Sequence, residues 1–156
     1  MVSQTSKADT FRALHTGPGT FVIPNPWDAG SAKVLAGLGY KALATTSSGM
    51  AMSMGLSDGG VLRDDVISHC RVLAGATDLP LAADLEDCFS DSLDGIAETI
   101  ISGAQAGLVG GSIEDWCPPH RNDGMAALRA RIDPSRTTAL STSSTGRASR
   151  KRVWTR

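Results

Sequence analysis

Short apolar runs alternate with segments of helical spacing along residues 21–113, and this alternation is the feature that most constrains the fold. Each run has the length of one strand, and each intervening segment carries apolar residues on one side of a helix. The predicted strands are 21–25, 41–46, 79–83 and 108–113, and the predicted helices are 32–37, 64–74 and 92–106. Repeated strand–helix units of this length predict an α/β fold with a parallel sheet, either doubly wound or closed into a barrel.

Local signals mark the ends of these elements. Asp28 or Ser31 is expected to cap the first predicted helix at its N-terminus, and Gly39 fits its C-terminus. The small residues at 47–49 are expected to form a loop after the second strand.

The net charge of −1 is the sum of an acidic part of the chain and a basic part. Residues 1–128 hold 7 basic and 15 acidic side chains, whereas residues 129–156 hold 8 basic side chains and one acidic one. Nine of the fifteen residues at 135–149 are Ser or Thr, and no hydrophobic period runs through them. The composition therefore divides the chain into three expected segments: a flexible N-terminus at 1–10, a folded unit at 11–115, and a divergent, disordered Arg/Ser/Thr-rich tail at 116–156.

Composition also limits the expected partners and compartment. A basic tail can bind nucleic acid or an acidic surface, but no aromatic platform or folded nucleic-acid motif accompanies it, so a solvated tail without such a partner is expected. The apolar runs are far shorter than the ~20 residues of a membrane span, and the first ten residues lack a signal-peptide pattern. Cys70, Cys88 and Cys117 are odd in number and widely spaced, which favours a cytoplasmic protein without a disulfide framework.

Acidic side chains follow two neighbouring predicted strands, at 84–87 and at 114–115. Parallel α/β folds bind ligands at the carboxyl ends of their strands, so these acids are expected at one edge of the sheet. Like charges repel one another there unless a cation or protons compensate. Mg²⁺ needs only a few carboxylates beside water and substrate oxygens.

Asp84, Glu86 and Glu114 together are interpreted as a metal site. Asp84 and Glu86 are two residues apart, so both side chains would point to the same face of a continuing strand. The alternative is that acids in these loops cap the following helices. That interpretation is preferred for the three others: Asp87, Asp91 and Asp115.

Four segments resemble the isocitrate lyase/phosphoenolpyruvate mutase superfamily in sequence, order and spacing: 24–32, 44–49, 83–86 and 110–115. The resemblance covers about residues 11–115 and is specific as a set. It implies a (β/α)₈ TIM barrel, homo-oligomers, and Mg²⁺-assisted chemistry on a small 2-oxo-acid or phosphono-acid through an enolate-like intermediate. Because a complete barrel takes roughly 250 residues, the expectation is a partial TIM barrel of about four strand–helix units.

The resemblance also implies roles for individual residues. Ser48, Gly49 and Met50 match the loop whose backbone N–H groups hold the substrate carboxylate, and Gly permits the close approach. Asp58 matches a substrate-proximal acid and is the catalytic candidate.

The same resemblance assigns the metal ligands. Asp84 matches the acid most directly associated with Mg²⁺, and Glu86 and Glu114 match the acids that hold its water shell. The implied activities are of the lyase or mutase type, like those of carboxyvinyl-carboxyphosphonate phosphorylmutase, phosphoenolpyruvate mutase or 2-methylisocitrate lyase.

Two segments depart from the family pattern. Residues 116–121 stand where the family has a gating loop, but they match neither the Cys-bearing loop of the lyase branch nor the Lys-bearing loop of the mutases, so Cys117 is assigned no role. After Glu86 the family favours a Gly-Tyr/Phe-Gly turn, where this chain has Cys88-Phe89-Ser90. A positive φ at either glycine position would cost about 1 kcal/mol or more here.

Three functions stay open from the sequence. The first is an enzyme of this superfamily. The second is an inactive, truncated homologue that arises from a shifted reading frame after about residues 113–119, where the composition changes abruptly. The third and weaker one is a basic tail that binds nucleic acid or an acidic partner.

Overall fold

The computed structural model describes residues 2–114 and the backbone of two further strands at 140–142 and 150–155. In chain order the elements are α1 (Gln4–Thr16), α2 (Ala29–Gly37), β1 (Leu43–Ala44), α3 (Ser47–Ser53), α4 (Arg63–Ala76), β2 (Leu81–Asp84), α5 (Leu93–Gln105), β3 (Gly110–Ile113), β4 (Leu140–Thr142) and β5 (Arg150–Thr155). The predictions for the gating-loop position, including Cys117, lie outside the described residues.

The strands β1, β2 and β3 pair in parallel and in chain order. Leu43 pairs with Leu81 and Ala82 pairs with Gly110, so the carboxyl ends of the three strands meet at one edge. The α/β prediction with a parallel sheet is therefore confirmed. Consecutive order is typical of a singly wound barrel, whereas a doubly wound sheet reverses its order at a switch point. Closure into a barrel of about four strand–helix units stays a prediction.

Two strands lie in the segment for which the composition predicts disorder. β5 pairs antiparallel with β3, β4 pairs antiparallel with β5, and the sheet order is β1-β2-β3-β5-β4. Such pairing satisfies N–H and C=O groups that an outer strand leaves unpaired, and the division of the chain into a folded unit and a divergent tail stays a prediction. For 116–139 and 143–149 the prediction lies outside the described residues.

Residues 21–25 form no strand, although one was predicted there. A single backbone hydrogen bond, from the Ala44 N–H to the Pro24 carbonyl at 3.1 Å, ties this segment to β1. Pro24 and Pro26 have no N–H to donate, which is why the pairing does not extend into a ladder.

The expected flexible N-terminus is largely helical. α1 begins at Gln4, after Ser3, whose side chain accepts a hydrogen bond from the Ser6 N–H at 3.2 Å. Lys7 and Phe11 of this helix are buried. Contacts with the rest of the fold hold α1 in place, because Lys7 Nζ donates to the Thr77 carbonyl at 2.8 Å.

The predicted caps of the next helix are both present. Asp28 accepts a hydrogen bond from the Ser31 N–H at 2.6 Å, and Ser31 Oγ accepts one from the Asp28 N–H at 3.1 Å. This reciprocal pair is a capping box. Gly39 follows the helix with φ 88°, a conformation that favours glycine.

Buried side chains cover both faces of the parallel strands. One cluster joins Leu43 and Leu81 to Cys70 and Leu73 of α4. A second cluster forms on the opposite face, where alternate strand residues pack against α1: Phe11, Ala42, Ala82 and Val109. When both faces of a parallel sheet are covered, the carboxyl ends of its strands are where ligands bind. Within the described residues, every helix falls short of the length and apolarity that a membrane crossing needs.

Candidate active site

The segments that leave β1, β2 and β3 lie side by side beyond the carboxyl ends of the strands. The Leu85 N–H donates to the Ser112 carbonyl at 3.0 Å, and the Glu114 N–H donates to the Glu86 carbonyl at 2.6 Å. The pairing between strands thus continues past their last residues. It brings the predicted acids of two strands next to the hydroxyl-rich run at 45–47.

Asp84 is buried at this edge and is held from several sides. Its backbone N–H donates to Thr45 Oγ1 at 3.0 Å. Its Oδ2 accepts a hydrogen bond from the Ser47 hydroxyl at 3.1 Å, and its Oδ1 accepts one from the Glu86 N–H at 3.3 Å. Donors on both oxygens fix the orientation of this carboxylate.

Glu86 is the most perturbed acid of the site. Its side chain is buried, and Oε1 has no hydrogen-bond partner among the described residues. The pKa of Glu86 is raised to about 7, first by burial and then by the charges of Asp84, Asp87, Asp58 and Glu114. A carboxyl in this state gains a proton near neutral pH unless a cation supplies the missing positive charge.

These electrostatic contacts show which predicted residues come together. The charges of Asp58, Asp84 and Glu114 all raise the pKa of Glu86, so these four acids lie in one neighbourhood, and their roles stay predictions. Asp58 is exposed in the loop that precedes α4, whereas Glu114 is half-buried.

The acids do not form a cluster of direct metal ligands. In the part of the chain that the structure describes, no group of three or more His, Cys, Asp or Glu side chains converges tightly enough to hold an ion. A site with one direct carboxylate and further acids on bound water needs no such convergence, and Mg²⁺ commonly keeps several waters.

The turn after Glu86 has a backbone that disfavours side chains. Glu86, Cys88 and Phe89 have φ values of 48°, 62° and 56°. The left-handed region costs a non-glycine residue about 1–2 kcal/mol. The sequence-based concern about the family's glycine turn therefore holds for Cys88, the first of its two glycine positions.

Hydrogen bonds hold this turn in its conformation. The Cys88 N–H donates to the Leu85 carbonyl at 2.7 Å, and the Phe89 N–H donates to Asp87 Oδ1 at 2.9 Å. The hydroxyl of Thr99, fully buried on α5, donates to the Cys88 carbonyl at 2.8 Å. A helix on one side and the strand end on the other thus fix the segment that carries Glu86.

Cys88 is also buried, and burial raises the pKa of its thiol to about 12, with the charge of Asp87 adding to the effect. Cys70 has a pKa of about 12 for the same reason, with the charge of Asp84 adding to burial. Neither thiol is a thiolate at neutral pH, so neither has the character of a nucleophile.

Ser48, Gly49 and Met50 lie in the first turn of α3, where the sequence predicted a loop. Thr46 caps this helix: its Oγ1 accepts from the Gly49 N–H at 3.3 Å, and its carbonyl accepts from the Met50 N–H at 3.0 Å. A Cβ on Gly49 would lie 2.7 Å from Thr46 Cγ2, so the close packing requires glycine there. Two of the three amides predicted to hold a substrate carboxylate therefore already have partners within the helix.

Two residues of this site, Thr45 and Ser47, were not predicted from the sequence. Both contact Asp84, one through its backbone N–H and the other through its carboxylate. A signal was present, because residues two apart on an extended segment point the same way and β1 was expected beside the strand that ends in Asp84.

Comparisons with known proteins point to one family. The sequence profile described as phosphoenolpyruvate phosphomutase matches residues 11–149. A crystal structure from Burkholderia cenocepacia J2315, described as a lyase/mutase, is 53% identical with a TM-score of 0.67, and the match covers 69% of this chain and 38% of that one. Another from the same organism, described as a phosphonomutase, is 34% identical with a TM-score of 0.73, over 80% of this chain and 51% of that one.

Among curated proteins, 2-methylisocitrate lyase from Escherichia coli (strain K12) is 33% identical over 116 residues. That match covers 73% of this chain and 39% of the lyase. The chain spans about two fifths of the length of the first curated relatives that it matches, 40% and 39%.

Proposed function

This chain belongs to the phosphoenolpyruvate phosphomutase family, which confirms the resemblance carried by its four sequence segments. On that premise we propose that it performs Mg²⁺-dependent lyase or mutase chemistry on a small 2-oxo-acid or phosphono-acid through an enolate intermediate. One observation carries the proposal: the buried Glu86 carboxyl has a raised pKa and one oxygen that no described residue hydrogen-bonds, and it lies among four further acids at the carboxyl ends of the strands.

The donor set fits a hard divalent cation, because carboxylate and water oxygens are the ligands that Mg²⁺ prefers. Asp84 would hold the ion most directly, and Glu86 and Glu114 would hold its bound water. A positive charge here would favour the ionised form of Glu86 and would offset the repulsion among the acids. A bound Mg²⁺ supplies Lewis-acid stabilisation of the negative charge that develops on the oxo oxygen of the substrate.

The residues of the chain itself would bind and orient the substrate. We assign the substrate carboxylate to the backbone N–H groups of Ser48, Gly49 and Met50. The Gly49 and Met50 amides would have to share or exchange their hydrogen bonds to Thr46 when the substrate binds. Asp58 is assigned to the substrate side of the site, in keeping with its exposure and with its charge acting on Glu86.

Calorimetric titration of the full chain with Mg²⁺ and then with oxalate, which mimics an enolate, tests the proposal. We expect Mg²⁺-dependent binding of oxalate that is lost in Asp84→Ala. Asp9→Ala is the matched control, since Asp9 is an exposed acid whose partner is Arg12 on the same helix. Absence of heat with the unmodified chain, or equal heat after Asp84→Ala, would contradict the metal assignment.

Turnover separates an enzyme from a binding protein. Conversion of oxaloacetate, 2-methylisocitrate or phosphonopyruvate in the presence of Mg²⁺ would support the proposed chemistry and select the substrate. Oxalate binding without turnover of any of the three would favour the non-catalytic homologue. Assembly into homo-oligomers and a cytoplasmic location stay predictions, and binding of nucleic acid or an acidic partner by the tail stays the weaker alternative.

A further inference from the structure

Ser47, the first residue of α3, makes a contact that its helix does not need. Its hydroxyl donates to Asp84 Oδ2 at 3.1 Å, and its backbone N–H points to the same oxygen at 3.5 Å. The contact joins the segment after β1 to the last residue of β2, across 37 positions of sequence. Thr46 caps α3, so the Ser47 side chain is not needed for capping and can donate to Asp84 instead.

The hydroxyl groups of Thr45 and Ser47 bond to different parts of Asp84. Thr45 accepts from the Asp84 backbone N–H, and strand pairing at Leu43 and Ala44 fixes the position of that backbone. Ser47 contacts the carboxylate instead, on the oxygen opposite to the one that the Glu86 N–H holds. The terminal torsion of an Asp side chain is broad, so a carboxylate keeps one orientation only when donors hold it.

We propose that Ser47 is a positioning residue, which orients the Asp84 carboxylate for the divalent cation. This inference rests on the proposed function, because it takes Asp84 as the acid closest to the ion. Groups that hydrogen-bond to metal ligands fix the geometry of the ligands, and their loss typically weakens metal affinity about 10- to 100-fold. A merely structural Ser47 would change the stability of the fold and leave the affinity of the folded protein unchanged.

The test measures the Mg²⁺ dissociation constant and the thermal unfolding midpoint of the full chain. Ser47→Ala is expected to weaken Mg²⁺ binding about tenfold, while Ser47→Thr, which keeps the hydroxyl, retains the original affinity. Ser53→Ala is the matched control on the same helix, because the Ser53 hydroxyl donates to the Met50 carbonyl at 2.7 Å and is not bonded to Asp84. The control is expected to bind Mg²⁺ like the unmodified chain.

A second pair keeps the test decisive if Ser47→Ala does not fold. Ser47→Thr and Ser47→Val have nearly the same shape and differ in one hydroxyl, so the threonine variant should bind Mg²⁺ more tightly by about the same factor. Equal affinities in the pair, or no change in Ser47→Ala, would overturn the positioning role and leave the proposed function intact. No Mg²⁺ binding by the unmodified chain would overturn both. A tenfold loss in Ser47→Ala without any substrate turnover would support the positioning role and contradict the proposed chemistry.

Discussion

Two buried charges, Lys7 and Glu86, lie at opposite ends of the parallel sheet and have opposite surroundings. Lys7 lies near the amino end of β2, where its ammonium group donates to the carbonyls of Thr77 at 2.8 Å and Ala74 at 3.4 Å. Glu86 lies at the carboxyl end, among other acids and with one oxygen unpartnered in the described chain.

Burial moves the pKa of both groups toward the neutral form, but the neighbouring charges act differently. For Lys7, burial lowers the pKa and the charge of Asp78 counteracts it. For Glu86, every neighbouring charge adds to the effect of burial. A satisfied buried charge is typical of a structural tie, whereas an unsatisfied one in a polar site is typical of a ligand position.

The largest effect on stability is expected at the amino end. Lys7→Met keeps the apolar stem but leaves two carbonyls at the end of α4 without their donor, and we expect a loss of about 2 kcal/mol. Urea unfolding measures it, with Lys33→Met, an exposed lysine of α2, as the control that should change stability by less than about 0.5 kcal/mol. Equal losses of unfolding free energy in the two variants would contradict a structural role for Lys7.

A smaller loss is expected at the carboxyl end, in the turn after Glu86. Thr99→Val removes the hydroxyl that donates to the Cys88 carbonyl and leaves a buried acceptor unpaired, which should cost about 1–2 kcal/mol. Thr99→Ser keeps the hydroxyl and serves as the control. If valine is tolerated as well as serine, the turn does not depend on this hydrogen bond.

A third effect, of a different kind, is a pH dependence of stability in the metal-free protein. The pKa of Glu86 is raised from 4.5 to about 7, so its contribution to stability is complete below pH 4.5 and is lost as the pH rises through 7. Thermal unfolding between pH 5 and pH 8 should follow this direction, and Glu86→Gln should flatten it. Saturating Mg²⁺ should also reduce the loss of stability at high pH. If neither Glu86→Gln nor Mg²⁺ alters the pH dependence of the unfolding temperature, the assignment is contradicted.

The parallel sheet and the acids at the carboxyl ends of its strands could be predicted from the sequence, because both follow from apolar periods and from the polarity of parallel sheets, whereas the order of the strands was left open. Asp84, Glu86 and Glu114 end predicted strands, and the structure brings them to one edge. The family resemblance added Asp58, which lies in a loop without any periodic signal.

The elements that could not be predicted depend on tertiary contacts. α1 has a short apolar side, where Ala8 and Leu14 pack beside the buried Phe11, and side-chain hydrogen bonds to distant carbonyls also hold the helix. α3 begins with Ser47-Ser48-Gly49, residues of weak helix propensity, and it forms because Thr46 caps it and Met50 and Ala51 are buried.

Three adjacent residues after β1 each use a hydroxyl for a different purpose. Thr45 fixes the backbone of Asp84, Thr46 begins α3, and Ser47 holds the Asp84 carboxylate. Because neighbouring side chains on an extended segment point in opposite directions, inserting or deleting one residue here would bring each hydroxyl to the wrong partner. The spacing between β1 and α3 is therefore as strict a requirement of this site as the residues that fill it.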